Sequence, residues 1–342
     1  MAQKLISICI PTYNRPLELK RTLESIDTTK NDDIDIVISE NCSPKQAETR
    51  EVVEAYKAKS KLEVYYYENE RNLGYDKNIR ALVARATGRF CMFFSDDDMF
   101  MPGAMDEFVE FVRQHKDYGY ILRSYRNYRP DGSYQDFRYY SKDCEFPAGK
   151  DTAIELFDKS VFLSGFTIQS EEAKKYVIDD LDGSLLYQLY LLLEVCRRLP
   201  SAYSRILISK SVPISGGVHY FGDCDEEKEF YEGKSMNGNN AINFDRWYIK
   251  VVEYVSNKYN DDTAKIIKHN MSKYSYVDLA LERRRGTSIK EFTRYARELR
   301  RMGLGSSIYF YIYYVALITL GYKNCDKIIS FIKNKMGHRP HL

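Results

Sequence analysis

The run Cys91-Met92-Phe93-Phe94, followed after Ser95 by Asp96-Asp97-Asp98, constrains this chain more than any other stretch. Four apolar residues, bounded by Gly88 and Pro102, suit a short strand buried on both faces, as in a parallel sheet. Three carboxylates cannot continue through that core, because an unpaired buried charge is too costly. They belong at the strand's carboxyl end, where open α/β sheets place their ligands. In extended backbone Asp96 and Asp98 point the same way and could share one hard cation. A solvated acidic turn satisfies the same local pattern, so the rest of the chain must decide between the two.

The preceding residues repeat one theme. Apolar strands at 5–10, 35–39 and 62–67 alternate with helical patterns beginning near Leu17, Gln46 and Asp76. That spacing predicts parallel βαβ units. Pro11 is expected to end the first strand, and Thr87-Gly88 to end the third helix. Each strand delivers a polar loop, at 11–15, 40–43, 69–74 and 96–98. Loops that share one carboxyl edge converge on one crevice, which raises the acids above a surface turn. Downstream, a helix to about His115 is followed by a strand at 118–128, a turn at Arg129-Pro130-Asp131-Gly132-Ser133 and a strand at 162–169. An apolar helix at 185–199 and a strand at 206–212 follow, and from about Asn239 onward the pattern is helical. The expected division is a catalytic domain over 1–222 and a helical region over 223–342.

Lys plus Arg number 51 against 49 Asp plus Glu, so the net charge of +2 points to no nucleic-acid partner. The seven cysteines lack metal-type spacing. With no cleavable leader in view, they suit a reducing cytoplasm. The apolar run 308–322 carries five tyrosines and is flanked by Lys323, Lys327, Lys333 and Lys335. It is shorter than the roughly 20 residues needed to span a bilayer. It suits either an interfacial helix, peripheral on a membrane, or a helix packed on the rest of the chain.

The first half resembles glycosyltransferase family 2, the nucleotide-sugar enzymes of GT-A fold, over about residues 5–110 and more weakly to about 220. Ser7-Ile8-Cys9-Ile10-Pro11-Thr12-Tyr13-Asn14-Arg15 is similar to that family's first strand and nucleotide loop. Asn72-Leu73-Gly74 with Lys77-Asn78 resembles its NxG…ARN segment, and Ser95-Asp96-Asp97-Asp98 its DxD position. Stretches at Gly165-Phe166 and Asp182-Gly183-Ser184 resemble bacterial O-antigen and capsule transferases of the abequosyltransferase type.

The resemblance implies a Rossmann-like, mainly parallel sheet flanked by helices, and transfer of a sugar from a nucleoside diphosphate donor to a glycan or lipid-linked acceptor. It implies Mn²⁺ or Mg²⁺ at Asp96 and Asp98, with Asp97 beside the donor. Pro11, Thr12, Tyr13, Asn14, Arg15, Glu40, Asn72, Gly74, Lys77 and Asn78 would hold base, ribose and phosphates. The family usually has Asp-Asp where this chain has Glu40-Asn41.

An inverting transfer needs a base for the acceptor hydroxyl. The family's Glu-Asp pair opening a helix is missing here, so Asp182 is the first candidate, followed by Asp180 and Asp179. Capping of the helix by Asp182 or Ser184 is the plainer reading. His219 could be a further metal contact, and Arg71 or Lys77 could meet phosphate. Nucleotidyl transfer is disfavoured because Pro-Thr-Tyr-Asn-Arg stands where a glycine-rich phosphate loop belongs. A non-catalytic sugar-binding relative is a third reading.

Overall fold

The first ninety residues alternate strand and helix as their apolar runs require: β1 (Ile6–Thr12), α1 (Pro16–Glu24), β2 (Ile34–Glu40), α2 (Gln46–Lys57), β3 (Glu63–Glu68), α3 (Gly74–Arg85) and β4 (Phe90–Phe93). The computed structural model describes residues 3–211, 222–231 and 238–336. β1 pairs in parallel with β2 and β4, and β2 with β3, giving the order β3-β2-β1-β4. All four strands therefore end at one edge, as the alternation predicts.

Both faces of these strands are apolar because helices cover both. Ile8, Ile36 and Met92 face a cluster containing Leu19, Leu23, Val53, Phe108 and Val112, whereas Cys9, Val37, Cys91 and Phe93 are buried on the opposite side. Each large side chain removed from water in this way contributes about 1.5–3 kcal/mol. Pro11 does not end β1, which runs on to Thr12. Cys9 accepts a bond from Phe94 N at 3.0 Å and Thr12 accepts one from Asn41 N at 3.1 Å. Alternate residues face opposite neighbours, so the missing N–H of Pro11 faces the β4 side, where pairing has already stopped at Phe93.

The chain continues through β5 (Met99–Phe100), α4 (Ala104–Gln114), β6 (Tyr120–Tyr128), β7 (Tyr134–Phe137), β8 (Cys144–Phe146), α5 (Lys150–Phe157), a 3-10 turn (Leu163–Gly165), β9 (Phe166–Gln169), α6 (Ser170–Ala173), α7 (Tyr187–Arg198), β10 (Ser201–Ser211) and α8 (Asp225–Lys228). β9 lies antiparallel between β4 and β6. β6 consequently runs parallel to β4, and its far half, paired with antiparallel β7, stands at the same carboxyl edge as the acids.

The chain divides into two compact units, 1–235 and 236–342, so α8 belongs to the first unit rather than to a helical region starting at 223. The second unit contains α9 (Gly238–Tyr259), α10 (Thr263–Lys273), α11 (Tyr276–Arg284), α12 (Ile289–Leu299), a π-helical turn (Arg300–Leu304), α13 (Ile308–Thr319) and α14 (Gly321–Met336). Its core includes Leu279, Phe292, Leu299 and Leu317. Ser288 opens α12 through a capping box: Glu291 N donates to Ser288 Oγ at 3.2 Å and Ser288 N to Glu291 Oε2 at 2.8 Å. The apolar run 308–322 is not one helix: α13 ends at Thr319, and Gly321, at φ +73°, turns the chain into α14. Among the described residues, no helix is long and apolar enough to cross a membrane.

Candidate functional site

The strand ends at the carboxyl edge surround an open cleft of about 130 Å³. Pro11 and Thr12 line it from the end of β1, Tyr13 and Arg15 from the loop after it, and Asn41 from the loop after β2. Asn72 comes from the β3–α3 connection, Gly74, Tyr75 and Asn78 from α3, and Ser95 and Asp96 from the turn after β4. Leu163, Asp223 and Glu227 complete the wall. The mixed lining of aromatic, amide and carboxylate groups is that of a small-molecule site. Asn14, Glu40, Lys77, Asp97, Asp98 and Asp182 are not among the lining residues.

The three acids do not extend β4. Asp96 and Asp97 occupy a turn, with Asp98 N donating to Ser95 O at 3.4 Å. In a turn, residues two apart no longer share a face, so Asp96 and Asp98 diverge instead of pointing together. Asp96 accepts from Thr12 Oγ1 at 2.8 Å and Arg15 Nη1 at 3.0 Å; Asp97 accepts from the same Arg15 nitrogen at 2.8 Å. Asp98 accepts from Ser164 Oγ at 2.5 Å. Thr22 of α1 fixes the turn, its Oγ1 lying 2.8 and 2.6 Å from the carbonyl oxygens of Asp96 and Asp98.

Burial pushes the Asp96 carboxyl up to about 6, against the pull of Arg15. Burial, reinforced by the charge of Asp97, pushes Asp98 up to about 8. Fully buried Arg123 bridges the carbonyls of Phe93 and Phe166, each at 2.7 Å, and ties the end of β4 to β9.

Among the described residues, no three His, Cys, Asp or Glu side chains converge to hold a metal ion. The donor chemistry nevertheless suits a hard divalent ion. The described ion pairs of these three carboxylates run to one guanidinium, that of Arg15. Such ions commonly take one or two carboxylates and complete their coordination with substrate phosphate.

Glu40 does not reach the cleft. Fully buried, it folds back to accept from Ser43 N at 3.0 Å and Gln46 Nε2 at 2.9 Å, closing the loop into α2. Its neighbour Asn41 takes the lining position instead. Asn41 Nδ2 donates to Asn72 Oδ1 at 2.8 Å, and Asn41 Oδ1 accepts from Asn69 Nδ2 at 3.1 Å and Leu73 N at 2.9 Å. Asn78 joins this amide network, its Oδ1 accepting from Ser39 Oγ at 2.6 Å and Asn69 Nδ2 at 3.0 Å. The network shapes the wall beside Tyr13. Asn14 adopts φ +61°, tolerable for asparagine, and its buried Oδ1 has no hydrogen-bond partner among the described residues.

α7 opens without an acid in its first turn. The charge its N-terminus favours comes from Asp76 on α3, more than a hundred residues earlier. The buried Asp76 carboxylate accepts from Leu185 N at 3.0 Å, Leu186 N at 3.1 Å, Tyr187 N at 3.0 Å and Ser184 Oγ at 3.2 Å. Those bonds hold Leu185 at φ +63°, a strained value for leucine. Asp182 sits on the same turn, ion-paired to Arg80 through Nη1 at 2.8 Å, with Lys77 at 3.6 Å. Lys77 itself pairs with Glu226, and Asp179 is exposed and pairs with Arg80 at 2.9 Å. Asp180 and Arg71 are exposed. His219 lies outside the described residues.

Sequence reasoning missed Asn41, Tyr75, Ser95, Leu163, Asp223 and Glu227 as lining residues. Glu227 accepts from Tyr75 N at 2.7 Å and Gly222 N at 2.8 Å, pinning the 222–231 segment to the start of α3. Nothing local in the sequence signals that contact.

Residues 7–169 match the profile of the family described as Glycosyl transferase family 2. A 96-residue stretch is 41% identical to the abequosyltransferase RfbV of Salmonella typhimurium, covering 28% of each chain. A 105-residue stretch is 26% identical to the GalNAc(5)-diNAcBac-PP-undecaprenol beta-1,3-glucosyltransferase of Campylobacter jejuni, covering 31% of this chain and 33% of that one. The matched stretches thus span a third or less of those two relatives. Among solved structures, S. aureus TarS 1-349 in complex with UDP-GlcNAc superposes with a TM-score of 0.58 at 15% identity, over 87% of this chain and 80% of that one. The likeness extends the fold assignment: this is a GT-A type mixed α/β sheet with a helical C-terminal region.

Proposed function

With residues 7–169 forming a glycosyl transferase family 2 domain, we propose that the chain moves a sugar from a nucleoside diphosphate sugar to a hydroxyl of a glycan or lipid-linked acceptor. The observation that carries the proposal is the cleft itself. It joins an aromatic and amide wall at Tyr13, Asn41 and Asn72 to a carboxylate turn at Asp96, all on one sheet edge. The first part suits a base and ribose, the second a diphosphate neutralised by a cation.

Asp96, in the cleft wall, would hold Mn²⁺ or Mg²⁺, with Asp98 turning from Ser164 to join it, and the ion when bound would supply charge neutralisation for the departing diphosphate. In an inverting displacement, the acceptor oxygen bonds to the anomeric carbon as the bond to diphosphate breaks, and the acceptor proton passes to a base. Asp182 is the proposed base. Its pairing with Arg80 has to open for it to face a hydroxyl, so Asp182→Asn should lower kcat strongly while leaving nucleotide affinity nearly unchanged. Equal losses in both, with a lowered Tm, would assign Asp182 to holding the turn instead.

The undecaprenol-linked substrate in the name of the Campylobacter relative supports a lipid-linked acceptor, and the proposal extends to surface-polysaccharide assembly at the cytoplasmic face of the membrane. α13 exposes Ile308, Ile312 and Val315, and α14 exposes Ile328 and Phe331 beside basic side chains. That combination suits peripheral contact with an anionic bilayer. Ile312→Asp should abolish sedimentation with anionic vesicles if this face is interfacial; unchanged sedimentation would refute it. The function itself is tested by a screen of UDP-, GDP-, dTDP- and CDP-sugars with Mn²⁺ or Mg²⁺. Metal-dependent nucleotide release from at least one is expected, and none from any would overturn the reading.

A further inference from the structure

We propose that the β6–β7 pair, with the turn before β9, forms a platform for a hexopyranose ring, the acceptor sugar, beside the cleft. The inference rests on the transferase reading and adds where the acceptor lies. Tyr125 pairs directly with Phe137 across the two strands, and Asn127 with Gln135. Residues two apart on a strand share a face, so these pairs form one surface of rings followed by amides. Tyr125 and Phe137 stack with centroids 4.7 Å apart and planes 5° apart, and Phe162 closes on Tyr125 at 4.2 Å. All three rings are only half-buried, and Asn127 is exposed. The other face of the pair is occupied by its own contacts: Arg126 Nε meets Asp136 at 2.6 Å, and its guanidinium lies 3.9 Å over the Tyr134 ring.

Continuity with the cleft identifies the occupant. Phe162 is followed by Leu163, which lines the cleft, and by Ser164, which bonds Asp98 at 2.5 Å and accepts from Ser95 N at 2.9 Å. Successive Cα atoms are about 3.8 Å apart, so a ligand resting on Phe162 abuts the cleft wall. β6 also carries its ring face to the same sheet edge as the acids. A pyranose presents an apolar C–H face and a rim of hydroxyls. Partly exposed rings with an amide beside them match that chemistry. An anion would need an accessible cation: Arg123, on the same face of β6, is fully buried against the Phe93 and Phe166 carbonyls, and Arg126, on the other face, is committed to Asp136.

The test uses saturation-transfer NMR on the full chain with methyl glucoside, galactoside, mannoside and N-acetylglucosaminide. The wild type should transfer saturation from aromatic protons to ring C–H protons of at least one glycoside. Phe137→Leu, which keeps apolar bulk without a ring, should weaken that binding by about fivefold, the scale of one aromatic face contact. Phe137→Ala should weaken it at least as much, and neither variant should alter the thermal shift given by UDP with Mn²⁺. Absence of transfer to every glycoside, or unchanged transfer in both variants, overturns the platform. A wild-type dimer that Phe137→Leu dissociates would overturn it in favour of a second copy of the chain. Absence of any nucleotide thermal shift in the wild type would instead defeat the transferase reading.

Discussion

Among the described residues, Arg15 is the one cation paired directly with the acid turn, and Arg15→Gln removes it. The Arg15 side chain is 13% exposed and its Nη1 lies 3.0 Å from Asp96 and 2.8 Å from Asp97. Breaking a buried pair by deleting one partner costs about 3–5 kcal/mol. Asp96 already stands at about 6 and can take up a proton when its partner leaves, so the lower end, about 3 kcal/mol, is expected. For a folded unit of this size that lowers Tm by roughly 6–12 °C. Thermal unfolding in EDTA reads the loss. Titrating Mn²⁺ should then raise Tm more in the variant than in the wild type, because an ion held at Asp96 no longer competes with the guanidinium for that carboxylate. At a hundredfold excess over its Kd, ligand binding contributes about 2.7 kcal/mol, enough to restore most of the loss. A loss below about 1 kcal/mol in EDTA, or Mn²⁺ stabilising both proteins equally, would refute the charge balance drawn here.

Asp76→Ala strands Leu185 N and Tyr187 N inside the fold and should cost about 2–4 kcal/mol, read as a drop in Tm. A neutral outcome would show that α7 is held by packing alone. In the helical unit, burial raises Asp278 from 3.8 to about 6, and Asp245 beside it is also raised by burial and by the charge of Asp278. The sign follows from the direction: neutral Asp278 is stabilising below pH 3.8, and that contribution is lost as pH rises through about 6. The rise corresponds to at most about 3 kcal/mol, which partial exposure reduces to about 1–2 kcal/mol. Asp278→Asn should therefore raise Tm at about pH 8 and change it little at about pH 4. A gain of equal size at both would contradict the assignment.

Local pattern made β1 to β4 and their shared edge legible, because each strand is a short apolar run ended by polar residues. Position within the edge was less legible. Glu40 and Asn41 are adjacent, and only the fold shows that the longer acid turns back onto Ser43 and Gln46 while the amide faces the cleft. Asp96 and Asp98 share a face in extended backbone but not in the turn that Thr22 enforces from α1. Asp76 stayed hidden for a different reason. Its partners lie at 184–187, and no periodicity couples residues so distant in sequence. α5 was also missed, its eight residues being too few to establish a helical period.

Isothermal titration of UDP, CDP, GDP and dTDP into the full chain, with Mn²⁺ and then with EDTA, tests the central claim most directly. At least one diphosphate should bind with Mn²⁺, more weakly in EDTA, and more weakly to Asp96→Asn than to the wild type. Failure of all four to bind with Mn²⁺, or binding indifferent to both the ion and Asp96, would contradict a metal-assisted nucleotide site at this sheet edge.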